Sequence, residues 1–160
     1  DEHVLIVENN VYIVQSDKTI KGDKGSYDEY RDLYEIMGHV SIELESLDWI
    51  LKKETVSDFE SEDIKSSLNQ KTTIQADQLR FLGDYNKLTL KGNVKIIQED
   101  KVIIADQVVY DDLKTVLLCM GNVKVIKNDK DTIETNILEI DLVRETFTAK
   151  KGVSSTYHLD

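Results

Sequence analysis

The sequence predicts an all-β protein in which tandem repeats of about thirty residues each supply two antiparallel strands to a pair of facing sheets. Three observations predict this class: an internal repeat, an alternation of apolar and polar residues, and short polar turns between the alternating segments. The length of 160 residues suits one domain. We therefore expect a single domain over residues 1–160, with an irregular repeat or an insertion at 41–73.

The internal repeat consists of two blocks that recur in register. The block IQADQLRF at 74–81 matches IIADQVVY at 103–110, and GNVKII at 92–97 matches GNVKVI at 121–126. In both copies 18 positions separate the first isoleucine from the glycine. Two blocks that recur at one spacing indicate a repeated pair of strands.

Weaker copies lie on both sides of this pair. Ile20 and Gly38 keep the same spacing, and Ile133 and Gly152 exceed it by one position. The segment Asn9-Asn10-Val11 matches the end of a copy whose first half is missing. The repeat therefore extends over most of the chain.

Alternation of apolar and polar residues identifies the strands. Leu88, Leu90, Val94 and Ile96 share one phase, and mostly polar residues separate them. A period of two is typical of half-buried strands. The polar turns at 83–87, 111–114 and 128–131 are too short for a parallel crossover, so we expect antiparallel neighbours.

The alternation breaks at Asp77, because Ala76 and Leu79 are both inward although they lie three positions apart. One additional residue predicts a bulge or a bend. Gly92 and Gly121 in the partner strands suit a tight bend as well. A strand that bends midway can belong to two sheets, which would enclose one apolar interior.

The segment 41–73 departs from this pattern. Ile42, Leu47 and Trp49 fit the first block, and Ile64 fits the valine that precedes the next one. Leu47 also suits the apolar face of a helix. A degenerate strand pair is the favoured interpretation, with a helical or loop insertion as its alternative.

Composition excludes several classes of function. A net charge of −11 disfavours a nucleic-acid-binding protein, which needs a basic surface. The single cysteine, Cys119, excludes an intrachain disulfide and a multi-cysteine zinc site. Three scattered histidines make a histidine metal cluster improbable, so we predict no metal site and no cofactor.

No motif of a catalytic site is present, and we predict that the protein is not an enzyme. Asp77 and Asp106 recur at equivalent positions, which indicates a structural role at the bend, such as bonding backbone groups freed there. Cys119 has the inward phase, and we expect it to pack as a small apolar residue. Lys91 and Lys95 alternate with apolar neighbours, and we expect them to face solvent.

The repeated pattern Ile-x-Ala-Asp-x-Leu-x-Phe/Tyr, a turn, and Leu-x-Leu-x-Gly-Asn-Val-x-Val resembles the OstA-like family, which includes LptA, LptC and the periplasmic domain of LptD. The resemblance is strongest over 74–126, recognisable over 4–40 and 133–153, and poor over 41–73. It implies a twisted two-sheet β-jellyroll in the periplasm. It also implies a transport protein that holds the acyl chains of lipopolysaccharide between the sheets.

By position, the resemblance implies that the inward apolar residues line a lipid-binding groove. They are Ile74, Leu79, Phe81, Leu88, Leu90, Val94, Ile96, Ile103, Val108, Tyr110, Leu117, Val123, Val125, Ile133, Leu138, Ile140 and Phe147. The implied partners are lipopolysaccharide through its lipid A portion, other bridge proteins of the export system, and copies of the same chain joined head to tail.

Two alternatives remain open. Within the family, the chain is the soluble part of an LptC-like anchor or an LptD-like periplasmic domain. Outside it, the chain is a structural repeat protein that assembles end to end through free strand edges and has a dry interior. Groove linings and packed cores use the same residue types, so composition does not separate transport from a structural role.

Overall fold

A computed structural model describes residues 3–15, 18–44, 71–84, 87–99, 101–111, 113–114, 116–141, 146–150 and 152–156. In these ranges the chain forms ten strands of one antiparallel sheet. The strands are β1 Val4–Gln15, β2 Lys18–Asp28, β3 Leu33–Leu44, β4 Thr72–Leu82, β5 Lys87–Gln98, β6 Lys101–Asp111, β7 Val116–Lys127, β8 Asp131–Asp141, β9 Thr146–Lys150 and β10 Ser154–Thr156. The predicted all-β class is confirmed.

Strand order in the sheet follows the chain from β1 to β8. Both β9 and β10 pair with β8: β9 lies beside its second half and β10 beside its first. The predicted repeat of two strands is confirmed, because the Ala-Asp block lies in β4 and β6 and the Gly-Asn-Val block lies in β5 and β7.

Each pair of neighbouring strands from β1 to β8 changes register once, near its middle. Between β4 and β5 the pairing passes from Gln75↔Lys95 to Gln78↔Lys91, so β5 contains one residue more than β4 over this stretch. The predicted break after Ala76 is therefore present. Relative to its partner, the surplus residue belongs to the odd-numbered strand in every pair.

Two consecutive residues with positive φ create the surplus in each of β1, β3, β5 and β7. Left-handed geometry favours glycine, and asparagine tolerates it better than most residues. The Gly-Asn dipeptide thus specifies the bend. The pairs and their φ angles are Asn9–Asn10 (67° and 69°), Gly38–His39 (80° and 47°), Gly92–Asn93 (79° and 48°) and Gly121–Asn122 (79° and 47°).

A carboxylate on the neighbouring strand holds each of three bends. The side-chain amide of Asn93 donates to Asp77 Oδ2 over 3.0 Å, and that of Asn122 donates to Asp106 Oδ2 over 2.9 Å. The recurring aspartates have the structural position expected for them, and the partner found is a side chain of the next strand. In β3 a histidine replaces the asparagine, and its Nδ1 lies 2.8 Å from Asp23 Oδ2.

The bends divide the sheet into two limbs. The first limb contains the strand segments 11–15, 18–21, 40–44, 72–76, 94–98, 101–105, 123–127 and 131–135. The second limb contains the segments 4–8, 24–28, 33–37, 78–82, 87–91, 107–111, 116–120 and 137–141.

Apolar side chains of both limbs join one buried cluster. Val94 and Val123 come from the first limb and Cys119 from the second, and each is at most 1% exposed. The limbs also meet at β1 and β2, where a Cβ on Gly25 would lie 3.1 Å from Cγ2 of Val11. The bent sheet therefore forms the two facing layers of a twisted β-jellyroll.

The predicted start of a degenerate strand pair at Ile42 is wrong. Ile42 belongs to β3, where it pairs with Ile74 of β4, and does not begin a new first block. β3 pairs directly with β4 in the sheet. Leu47, Trp49 and Ile64 lie outside the described residues.

Candidate functional site

The apolar interior between the limbs is the candidate site, and it contains those predicted lining residues whose side chains the structure describes. One group is buried: Ile74, Leu79, Leu90, Val94, Ile103, Val108, Tyr110, Val123, Leu138 and Ile140. A second group is partly buried: Phe81, Leu88, Ile96, Leu117, Val125 and Ile133. Phe147 pairs with Ile140 in the sheet, and its side chain lies outside the described part of the chain.

Strand register aligns the inward residues in continuous rows across the sheet. One row of the first limb is Ile20, Ile42, Ile74, Ile96, Ile103, Val125 and Ile133. One row of the second limb is Ile36, Leu79, Leu90, Val108, Cys119 and Leu138. An apolar surface thus runs across the repeats without a charged side chain in either row.

Burial within the interior changes with distance from the bend. We call the residues beside the bend the floor: Leu79, Leu90, Val94, Cys119 and Val123, all 4% exposed or less. We call the partly buried residues two positions farther out the border: Phe81, Leu88, Ile96, Leu117, Val125 and Ile133. Ile74, Ile103, Tyr110 and Ile140 lie equally far from the bend and are buried. The interior is therefore closed at the bend and partly exposed only along parts of its outer margin.

Aromatic side chains extend the interior of the second limb towards the N-terminal strands. The rings of Tyr27 and Tyr34 stack with centroids 4.3 Å apart, and Tyr34 lies 6.1 Å from Phe81. Tyr27 also donates to Asp32 over 3.3 Å. The hydrogen bond with Tyr34, some desolvation and the Asp32 charge raise the pKa of Tyr27 to about 12, so its hydroxyl stays neutral.

Sequence reasoning placed the lining residues between Ile74 and Phe147 and left the N-terminal repeat out. Leu33, Ile36, Val40 and Ile42 are also buried, and Val11 of β1 is only 9% exposed. The spacing from Ile20 to Gly38 could have identified these residues, because it locates the bend and the inward positions follow from the bend. The contact of Tyr27 with Tyr34 joins two strands and has no such local signal.

Two expectations for single residues are confirmed. Lys91 and Lys95 are exposed on the outer face of the sheet. Cys119 is fully buried, and burial raises the pKa of its thiol to about 12, so it stays protonated and packs as an apolar side chain.

Neither metal-binding clusters nor membrane-spanning helices occur in the part of the chain that the structure describes. Its His, Cys, Asp and Glu side chains form no group of three or more that could hold a metal ion. Over the same residues, no helix has the length and apolar character needed to cross a bilayer.

Comparisons with known proteins agree with this geometry. Residues 39–154 match the family described as OstA-like protein. The fold is similar to the crystal structure of LptH from Pseudomonas aeruginosa, described as the LptA-homologous periplasmic component of the conserved lipopolysaccharide transport device. That match has a TM-score of 0.59 and 11% identity, and it covers 98% of this chain and 95% of the other. No curated protein matches the sequence.

Proposed function

Since the chain belongs to the OstA-like protein family, which matches residues 39–154, we propose that it binds lipopolysaccharide in the periplasm and carries it between the two membranes. The acyl chains lie between the two limbs. The family is non-enzymatic and acts in lipopolysaccharide transport, so the work of the protein is reversible binding. The unbroken antiparallel pairing from β1 to β8 supports one domain over residues 1–160.

One observation carries this proposal: a continuous apolar interior whose outer margin is partly exposed. Each CH₂ group that moves from water into such an interior gains about 0.8 kcal/mol. The border residues, among them Leu88 and Ile96, offer this apolar surface to a chain that enters from the margin. Because the described ladders join the limbs at the bend, small rotations there widen the margin and leave the floor closed.

The test compares two neighbouring isoleucines of β5. Ile96 faces the interior, whereas Ile97 belongs to the opposite face, and both are partly buried. We expect Ile96→Asp to weaken the binding of purified lipopolysaccharide about tenfold or more, because the acyl chain would meet an unpaired carboxylate. Ile97→Asp is the matched control and keeps the wild-type affinity. Displacement of a fluorescent lipopolysaccharide measures both, and thermal unfolding checks that both variants are folded.

Equal binding by the two variants would show that the interior does not hold the lipid. Loss of binding in both, with intact folds, would place the lipid on the outer face or at another site. Leu90→Asp is less informative as a first test, because Leu90 is 3% exposed and belongs to the floor.

We further propose that copies of the chain and other bridge proteins join it head to tail through strand edges. β1 forms one edge of the sheet, and β9 and β10 form the other. β1 has twelve residues and carries exposed apolar side chains, among them Leu5, Ile6 and Val14. A free strand of this length can pair with a strand of another molecule.

Light scattering over a concentration series tests this association. The average mass should rise with concentration in the wild type. Ile6→Pro removes a backbone donor of β1 and should reduce the rise. A mass equal to that of one chain up to millimolar concentration would end the proposal of self-association.

The closed floor favours a second candidate, a structural repeat protein with a dry interior. Val94 and Cys119 have 0% exposure, as expected of an ordinary packed core. This candidate predicts assembly without lipid binding. It is excluded if the wild type binds lipopolysaccharide and Ile96→Asp does not.

A further inference from the structure

The inner face of β2 lacks two side chains that the other even-numbered strands possess. At the position of Ala76, Ala105 and Thr135 it has Gly22, and at that of Leu79, Val108 and Leu138 it has Gly25. We call this pair of glycines the notch. Because neither has positive φ, the backbone does not require glycine at these positions.

Side chains of the neighbouring strands fill the notch. Ile36 of β3 reaches over Gly22, where its Cγ2 occupies the space of a Cβ. Val11 of β1 reaches over Gly25, and its two methyl groups lie 3.1 and 3.8 Å from where a Cβ would stand. Val11 therefore substitutes for the large side chain that the other even-numbered strands place in the floor.

Val11 is the one buried side chain among the β1 residues whose burial the structure describes, and most of the others are exposed. The other inward residues of β1, Leu5, Val7 and Ile13, are 64%, 44% and 39% exposed. Among the described strands β1 pairs only with β2, and its bend uses two asparagines where β5 and β7 use glycine and asparagine. Few buried contacts, one partner strand and two non-glycine residues at positive φ favour opening of β1 over opening of the strands from β2 to β7.

We propose that β1 is a displaceable cover and that the notch is a subsite for one alkyl chain, which binds when Val11 withdraws. This inference rests on the proposed function, since it assigns the first contact of an acyl chain to the N-terminal end of the interior. Once Val11 has withdrawn, an alkyl chain in the notch replaces the apolar contacts that Val11 made above the glycines.

The surroundings of the notch select an alkyl chain over a polar ligand. Ile20 and Tyr27 flank the glycines on the inner face of β2, and Ile36 and Val40 adjoin them on β3. None of these residues is charged, and the charged residues of β2 at the bend, Asp23 and Lys24, are exposed. A carboxylate or phosphate group would therefore stay at the margin while its alkyl chain enters.

Hydrogen exchange with and without sodium dodecanoate tests the displacement. The full chain is used at a concentration at which light scattering gives a monomer. Dodecanoate should speed the exchange of the amides of β1 several-fold and leave those of β5 to β7 unchanged or slower. If dodecanoate binds and the amides of β1 exchange at their original rate or more slowly, an alkyl chain does not displace β1 and the proposal is wrong.

Two truncations of valines in β1 separate the notch from the outer face of the same strand. Val11→Ala shortens the side chain that fills the notch, and Val14→Ala makes the same change at a side chain that is 61% exposed on the outer face. We expect Val11→Ala to tighten dodecanoate binding about three- to tenfold, since the competent state becomes more populated. Val14→Ala should leave the affinity within about twofold of the wild type. Gly25→Leu fills the notch permanently and should abolish the effect of dodecanoate on β1.

The outcomes distinguish this inference from the proposed function. If lipopolysaccharide binds in an Ile96-dependent manner but Val11→Ala and Val14→Ala behave alike, the proposal for the notch is wrong and the proposal of lipid carriage stands. If dodecanoate acts at β1 as described but lipopolysaccharide does not bind, the notch stands and its natural ligand is a simpler lipid. If neither ligand binds, both are wrong.

Discussion

The N-terminal strands β1 to β3 and the central strands β4 to β7 are built on one repeat. The two regions differ in the residues at their bends and in the packing of their inward side chains. In the centre, Gly-Asn bends are held by aspartates, and inward Leu, Val and Cys residues form a closed floor. At the N-terminal end, Asn9–Asn10 replaces Gly-Asn, His39 replaces asparagine, and the notch replaces two side chains. The same backbone thus supports a tightly packed centre and a loosely covered end.

The largest expected difference between the two regions concerns inward leucines. Leu90 is 3% exposed in the central floor, whereas Leu5 is 64% exposed on β1. We expect Leu90→Ala to lower the free energy of unfolding by about 2–5 kcal/mol, because it removes buried contacts and leaves a cavity. Leu5→Ala should change it by less than about 0.5 kcal/mol. Urea unfolding followed by circular dichroism measures both, and similar losses would mean that the two ends are equally packed.

A smaller difference is expected at the bends themselves. Gly92 has φ 79°, and a Cβ there would collide with the carboxylate of Asp77. Gly92→Ala should lower the free energy of unfolding by at least about 1–2 kcal/mol, the cost of left-handed backbone for a residue with a Cβ. Asn9→Gly, at the corresponding position of the β1 bend, should be neutral or slightly stabilising. The comparison fails if Gly92→Ala has no effect in the same urea titration.

The smallest effect is expected from His39, whose side chain is 92% exposed. His39 occupies the position at the bend of β3 where β5 and β7 have asparagine. The hydrogen bond with Asp23 and the charge of Asp23 raise the pKa of His39 above 6.5. Desolvation lowers this pKa by less, and the charge of Asp77 raises it slightly. Because the folded pKa exceeds the unfolded one, this stabilisation is fully present below pH 6.5 and is lost as pH rises through the folded pKa.

His39→Asn restores the side chain of the central bends and should remove this part of the pH dependence. Titration of the His39 ring by NMR gives the pKa directly, and the difference in melting temperature between wild type and His39→Asn across pH gives its effect on stability. Asp23→Asn should return the pKa of His39 towards its ordinary value. An unshifted pKa in the wild type would mean that the contact with Asp23 is not formed in solution.

Much of the fold could be predicted because the decisive signals are local. The recurrence of Gly92-Asn93 at Gly121-Asn122 located two bends, and the break between Ala76 and Leu79 located the phase change of the partner strand. The prediction for Ile42 was wrong because the sequence did not reveal that β3 pairs directly with β4. Pairing between strands that are far apart in the sequence depends on tertiary contacts that no nearby residue encodes.

The sequence by itself determined which residues form strands, where each strand bends and which side chains point inward, since a period of two and the left-handed preference of Gly-Asn act within a few residues. Only the tertiary structure decided how deeply each inward side chain is buried. Leu5 and Leu90 share the inward phase, but β1 has a neighbour on one side and β5 on both. Burial is a property of the surrounding strands, and this is why the closed floor, the border and the exposure of β1 became visible only in the fold.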